Sequence, residues 1–268
     1  MRLILTLEYD GTSFHGWQVQ PGLRTVQGVL ESALERMMGE SVRIHGSGRT
    51  DAGVHALGQV AHFDSPRDIP PRSVAMGLNT LLPRDVRAKG CLEAPEGFHA
   101  RFSATGKRYR YTILNRSAPT ALLRNAVWHI RAPLDVPAMR EGASHLLGRK
   151  DFAAFRSSGD EGTTVRNVRI LTIEREFDLL VLSFEADGFL KHMVRNITGA
   201  LVEVGRGRLG QRKIEDILRS QSRQNAPKKA PPQGLTLVGV SYGEFDVYGE
   251  DRPVGNVNKT LENIIHFQ

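Results

Sequence analysis

The sequence predicts an α+β protein: two ferredoxin-like (split βαβ) halves joined into one extended mixed or antiparallel sheet, helices on one face, a central cleft between the halves. Three observations predict it. Apolar residues switch between period 2 and period 3.6 in the order β-α-β-β-α-β over residues 1–100. The same order returns over 101–245, without any residue-level repeat. The chain has 268 residues, 40% of them apolar, enough for one large core or two modest ones.

Leu3, Leu5, Leu7 and Tyr9 alternate with polar neighbours as a strand does. Val26, Val29, Leu30, Ala33, Leu34, Met37 and Met38 recur at helical spacing, with Thr25 as N-cap and Gly39 as C-cap. Residues 42–46 and 58–64 read as short strands. Pro70-Pro71 opens a helix that Pro83 closes, and 86–93 is a strand. The connection between halves falls in 95–106. In the second half, 107–115 is a strand and Asp135-Val136-Pro137 starts a helix running to Gly148. Residues 167–176 and 179–186 pair around Asp178. Leu190, Val194, Ile197, Leu201 and Val204 line a helix, Ile214, Ile217 and Leu218 a shorter one, and 235–242 is the last strand. Residues 156–166 and 220–234 read as mobile loops from their Gly, Ser and Pro content. From 246 to 268 the chain is an irregular tail of unassigned role, with one amphipathic turn at Leu261, Ile264 and Ile265.

Lys and Arg outnumber Asp and Glu by 36 to 29, a net charge of +7 that suits a polyanionic partner. The single cysteine, Cys91, rules out an internal disulfide and a multi-cysteine metal site, and fits a reducing compartment, the cytoplasm. The N-terminus does not read as a signal peptide, and no window approaches the ~18 apolar residues of a membrane span.

Three stretches carry candidate chemistry. GSGRTDAGVH (46–55) places one carboxylate, Asp51, among small residues; if 49–51 is extended, Arg49 and Asp51 share a side. A turn or a surface ion pair is the plain alternative. KRYRYTILN (107–115) puts Tyr109, Tyr111 and Ile113 on one face and Arg108, Arg110 and Thr112 on the other. Cations interleaved with rings suit RNA and make the central cleft an RNA-binding one; a half-buried strand with a basic edge is the alternative. In DGFLKHMVRN (187–196), Lys191 and Arg195 are four apart on one helix side. With His192 they gather cations at a helix start, where the dipole disfavours them, so they face phosphate, a buried carboxylate or solvent. GxxxxGK[ST], HExxH and GxSxG are absent, and His15, His45, His55 and His62 are not at metal-site spacing; His62 reads as a core histidine.

RTVQG (24–28), GSGRTDAGVHALGQVAHF (46–63), FHARFSATGKRYRY (98–111) and FLKHMVRNITGALVEVG (189–205) resemble the tRNA pseudouridine synthase A family. So do the opening LEYDGTSFHGWQ and the closing APPQGLTLVGVSY. The resemblance covers about residues 1–243. It implies a uridine-to-pseudouridine isomerase acting at positions 38 to 40 of the tRNA anticodon stem-loop, as a homodimer, with no cofactor and no metal. It implies Asp51 as nucleophile, Tyr109 stacking on the target base with a possible general-base role, Arg195 pairing with Asp51, and Arg49 in base flipping. Charge placement adds Arg101, Lys107, Arg108 and Arg110 as substrate-binding residues, with Lys228 and Lys229 along the phosphates. The rival readings are a non-catalytic RNA-binding protein or chaperone, which leaves Asp51 unexplained, and a metal-dependent nuclease, which needs clustered acids that the central motifs lack.

Overall fold

The computed structural model describes residues 1–159 and 162–248. In chain order these hold β1 (Arg2–Tyr9), α1 (Val26–Met38), β2 (His45–Gly46), β3 (His55–Asp64), α2 (Pro71–Leu81), β4 (Val86–Glu93), β5 (Gly106–Asn115), β6 (Trp128–Ile130), α3 (Val136–Ser144), β7 (Gly148–Asp151), β8 (Val165–Glu176), β9 (Leu179–Ala186), α4 (Met193–Gly205), α5 (Lys213–Ser220) and β10 (Leu235–Ser241). The capping signals of α1 act as read: Thr25 accepts from Gly28 N, and the helix ends at Gly39 in the left-handed conformation.

The strands form one mixed sheet in the order β4-β1-β3-β10-β5-β9-β8-β7, with β2 against β3 and β6 against β5. Within each half the main pairings are antiparallel, and each half repeats one pattern: its last strand pairs its first, and its first pairs its penultimate one. Two apolar clusters match the halves. One unites β1, β3 and β4 residues with α1 and α2, the other β5, β8 and β9 residues with α3, α4 and α5.

The seam between halves has a local cause. The expected strand at 42–46 shrinks to His45–Gly46, which pairs only with Ala61 and His62 of β3. That leaves the other end of β3 open. There β10 pairs in parallel, through Thr236↔His55 and Leu237↔Ala56. Beyond those two pairs Tyr248 bridges the strands: its hydroxyl accepts from Val240 N at 2.6 Å and donates to Gly58 O at 2.9 Å. Val247 is buried beside it. The tail expected from 246 therefore begins packed on the core, and the turn expected at Leu261, Ile264 and Ile265 lies outside the described residues.

Four other expectations change. The strand read at 58–64 starts at His55. Helix α3 stops at Ser144 rather than continuing to Gly148, because Leu146 N and Leu147 N turn back three residues, to Ala143 O and Ser144 O. Helix α4 starts at Met193, since His192 has φ +63°, so Lys191 is off the helix and does not share a face with Arg195. Segment 220–234 is not loose: Tyr111 Oη donates to Pro231 O at 2.7 Å, Arg223 reaches Asn196 Oδ1 and Pro227 O at 3.0 Å, and Ala230 is fully buried.

Gly199 holds that segment against α4. A Cβ there would overlap the Lys228 carbonyl. Gly→Ala inside a helix ordinarily adds up to ~1 kcal/mol of stability. Gly199→Ala is expected to reverse that sign and cost about 1–3 kcal/mol, read as a lower midpoint in thermal denaturation.

Candidate active site

Residues 47–54 link β2 to β3 and are fastened on several sides. Gln59, fully buried on β3, accepts from Ser47 Oγ at 2.7 Å and donates to Gly48 O at 3.0 Å. Thr50 Oγ1 meets Tyr9 Oη at 2.8 Å, and Trp17 N donates to Thr50 O at 3.0 Å. Val54 N returns to Asp51 O at 3.1 Å, a turn that Gly53 completes at φ +77°. The small residues thus serve a tightly anchored loop that presents Asp51.

Asp51 is half-buried, and both of its oxygens are engaged. Arg195 Nη1 donates to Oδ2 at 2.7 Å, and His192 Nε2 lies 3.4 Å from Oδ1. Arg195 is almost fully buried in α4 and is itself immobilised: its Nε donates to Ala230 O at 2.9 Å, while Ala230 N donates to Arg195 O at 2.9 Å. Burial pushes the Asp51 carboxyl up. The hydrogen bonds and charges of His192 and Arg195 outweigh it and hold the group below the usual carboxylate range, so it is ionised at neutral pH.

Tyr109 packs against both apolar clusters, its ring edge-on to Phe189 at 5.2 Å. Burial first, then Tyr9 and the Asp51 charge, hold its phenol well above the usual range. Strand alternation puts Tyr109 and Tyr111 on the face that meets segment 226–231, with Arg108 and Arg110 on the reverse.

The arginine and lysine expectations divide. Arg49 is exposed and bonded to no described residue, and the partners of Asp51 are His192 and Arg195 instead. Arg101 is exposed and lies over the Phe102 ring at 5.6 Å. Lys107 is not a free surface cation: its ammonium turns under the loop that carries Asp51 and donates to Ser47 O at 2.9 Å, and burial, with Arg101 and Arg166 nearby, lowers it to about 8. Arg110 is half-buried, with Nε unpartnered and Glu176 as its opposing charge. His62 is buried, lowered to about 4 chiefly by desolvation, and its Nδ1 accepts from Ala100 N, as befits a core histidine. Sequence reasoning did not place His192 on Asp51; the only trace of it was the cluster of cations at 191–195 that wanted an anion.

A single sheet shared by two lobes, with the acid supplied by one lobe and its guanidinium by the other, defines a two-lobed α+β protein with a charged cluster where the lobes meet. The chain belongs to the tRNA pseudouridine synthase family, whose model matches residues 6–103 and 143–243. It is 51% identical to tRNA pseudouridine synthase A of Myxococcus xanthus over 243 residues, covering 90% of this chain and 92% of that one. Identity to the protein of the same name from Thermoanaerobacter sp. (strain X514) is 45%, covering 90% and 99%. For that of Geobacter sulfurreducens it is 47%, covering 90% and 100%. The resemblance read from the motifs is therefore borne out. Among the described residues no helix is long and apolar enough to cross a membrane.

Proposed function

We propose that the chain isomerises uridine to pseudouridine at positions 38 to 40 of the tRNA anticodon stem-loop, as a cytoplasmic homodimer, with Asp51 as the nucleophile. The observation that carries this reading is the ionised Asp51 carboxylate, clamped by a buried Arg195 in a chain of this family.

The chemistry asks for little else. N1–C1′ breaks, the uracil turns, C5–C1′ forms, the C5 proton leaves and N1 takes up a proton; no electron is gained or lost and no water is consumed. A positioned carboxylate splits this rearrangement into easier steps by adding to the nucleoside, at uracil C6 or at ribose C1′, and leaving again. Both routes need an ionised oxygen, which His192 and Arg195 supply against the cost of burial. The target base must leave its stack, at a cost of a few kcal/mol. Arg49, exposed two residues before Asp51, is placed to fill the gap, and Tyr109 to stack on the flipped base. A phenol held this firmly protonated suits stacking or donating better than taking the C5 proton.

The test is a tRNA transcript tritiated at uridine C5. Tritium release by the wild type, mapped to positions 38 to 40, is the expected result; no release from any tRNA refutes the reading.

Phosphate contacts fall to the exposed cations Arg49, Arg101, Lys228 and Lys229 and to half-exposed Arg108. Affinity for tRNA is expected to drop steeply with salt, each neutralised phosphate adding roughly 0.7–0.9 to the log–log slope. Fluorescence anisotropy across a salt series checks it, and a flat response counts against these contacts.

A further inference from the structure

We infer that His192 is a positioning residue for the reaction: its Nε2 holds the second oxygen of Asp51, and Ser157 and Lys229 fix the orientation of the ring. The inference rests on Asp51 being the nucleophile.

Three observations support it independently. The imidazole reaches Asp51 directly, Nε2 to Oδ1 at 3.4 Å. Its other nitrogen, Nδ1, lies 2.8 Å from Ser157 Oγ and 3.5 Å from Lys229 Nζ. Held between these two groups at Nδ1, the ring turns Nε2 toward the acid. Finally, His192 adopts φ +63°, a backbone conformation that side chains other than glycine rarely take and that gathers at functional sites. Ser157 N donates to Lys191 O at 3.1 Å, which fixes the turn from the neighbouring segment.

The two partners of the acid are unequal. Arg195 is short-bonded and anchored through Nε, so Oδ2 stays where it is. The contact to His192 is longer, which makes Oδ1 the oxygen free to attack. Its lone pair forms the bond to carbon, and the displaced pair goes to uracil N1 as N1–C1′ breaks in the C1′ route, or from the C5–C6 double bond toward O4 in the C6 route; when the bond to Oδ1 breaks, the pair returns to Oδ1 and Nε2 holds it again. No proton is transferred. His192 thus orients the attacking oxygen and receives it as a leaving group.

The charges around this pair are Arg195 on α4 and Lys229 on the 226–231 segment, with Lys191 and Arg223 behind it; the neutral phenol of Tyr109 on β5 also faces Asp51. His192 and Arg195 together hold the acid ionised against burial, which opposes them. Losing His192 raises the Asp51 value, so the acid limb of activity moves to higher pH.

The experiment compares tritium release by the full chain with His192→Gly, which tolerates the left-handed backbone, His192→Gln, whose amide restores a donor near Nε2, and Asp51→Asn. For His192→Gly, kcat is expected to fall about 10–100-fold with KM for tRNA within about twofold, and the acid limb to move up. His192→Gln is expected to recover most of kcat and the original limb, and decides the matter alone if the glycine variant fails to fold. Activity lost in the glycine variant without a moved limb and without rescue by Gln means a merely structural role and overturns the inference. So does a glycine variant with unchanged kcat and limb while Asp51→Asn is dead, an outcome that leaves the Asp51 reading intact. Activity retained by Asp51→Asn removes that reading, and this inference with it.

Discussion

Asp51→Asn is expected to lower tritium release from a C5-labelled tRNA by roughly 10⁴-fold or more, while tRNA affinity is kept or rises. The amide fits the same anchored loop, which is held by backbone and by Gln59, Thr50 and Trp17 rather than by the carboxylate. What is lost is the nucleophile and the charge that Arg195 faces. A negative charge also leaves the neighbourhood of the phosphates, so binding does not suffer. The Arg195 side chain is nearly fully buried, and depriving it of its anion costs about 1–3 kcal/mol, visible as a lower melting temperature. A protein that only bound RNA would keep all of its RNA-linked behaviour in this variant, which makes filter binding beside tritium release the decisive pair of measurements.

Arg195→Met is expected to have the next largest effect, on activity and stability together. Removing the guanidinium leaves Asp51 with His192 alone and orphans the Ala230 carbonyl, costing about 2–4 kcal/mol in denaturant unfolding. Activity falls roughly 10²–10³-fold in kcat/KM. The sign of the pH effect follows from the cause. Arg195 helps hold the Asp51 carboxyl below 3.8, so without it the group is protonated at higher pH, and the deficit deepens as the medium is acidified. Stability follows the same linkage: in the wild type the Asp51 contribution is complete above 3.8 and fades as pH falls through the lower folded value. Arg195→Lys keeps the charge, but one ammonium cannot take both Ala230 O and Asp51 Oδ2 as the guanidinium does with Nε and Nη1, so a partial loss is expected.

Elements whose signals are local were legible in the sequence. Helix α1 carries its own caps and periodicity, and β5 its own alternation. Elements defined by a partner were not. Strand β6 is three residues long and exists because Ile113–Asn115 run beside it; β7 exists because β8 does. Segment 220–234 has the composition of a loose loop, yet Tyr111, Asn196 and Arg195, all distant in sequence, fix it. Asp51 stood out because a lone carboxylate among glycines asks for a reason. Lys107 misled for a physical cause: a lysine in a basic strand looks solvated, but here it satisfies a loop carbonyl 60 residues away. His192 was obscured by its backbone, since a residue in the first turn of an apparent helix beginning at Leu190 is not expected to turn left-handed and break the pattern.

The place of β10 has a consequence for biosynthesis. The strand that sutures the two lobes is the last regular element of the described chain, and Tyr248, which completes the suture, comes later still. During translation the first lobe emerges with one border of β3 unpaired, a surface prone to sticking to other nascent chains. The pairing of β10 with β3, which joins the lobes carrying Asp51 and Arg195, needs residues 235–248 to have left the ribosome. The joining of the lobes is therefore among the final events of synthesis, and a ribosome stalled before that stretch carries a polypeptide whose two lobes lack the strand that links them.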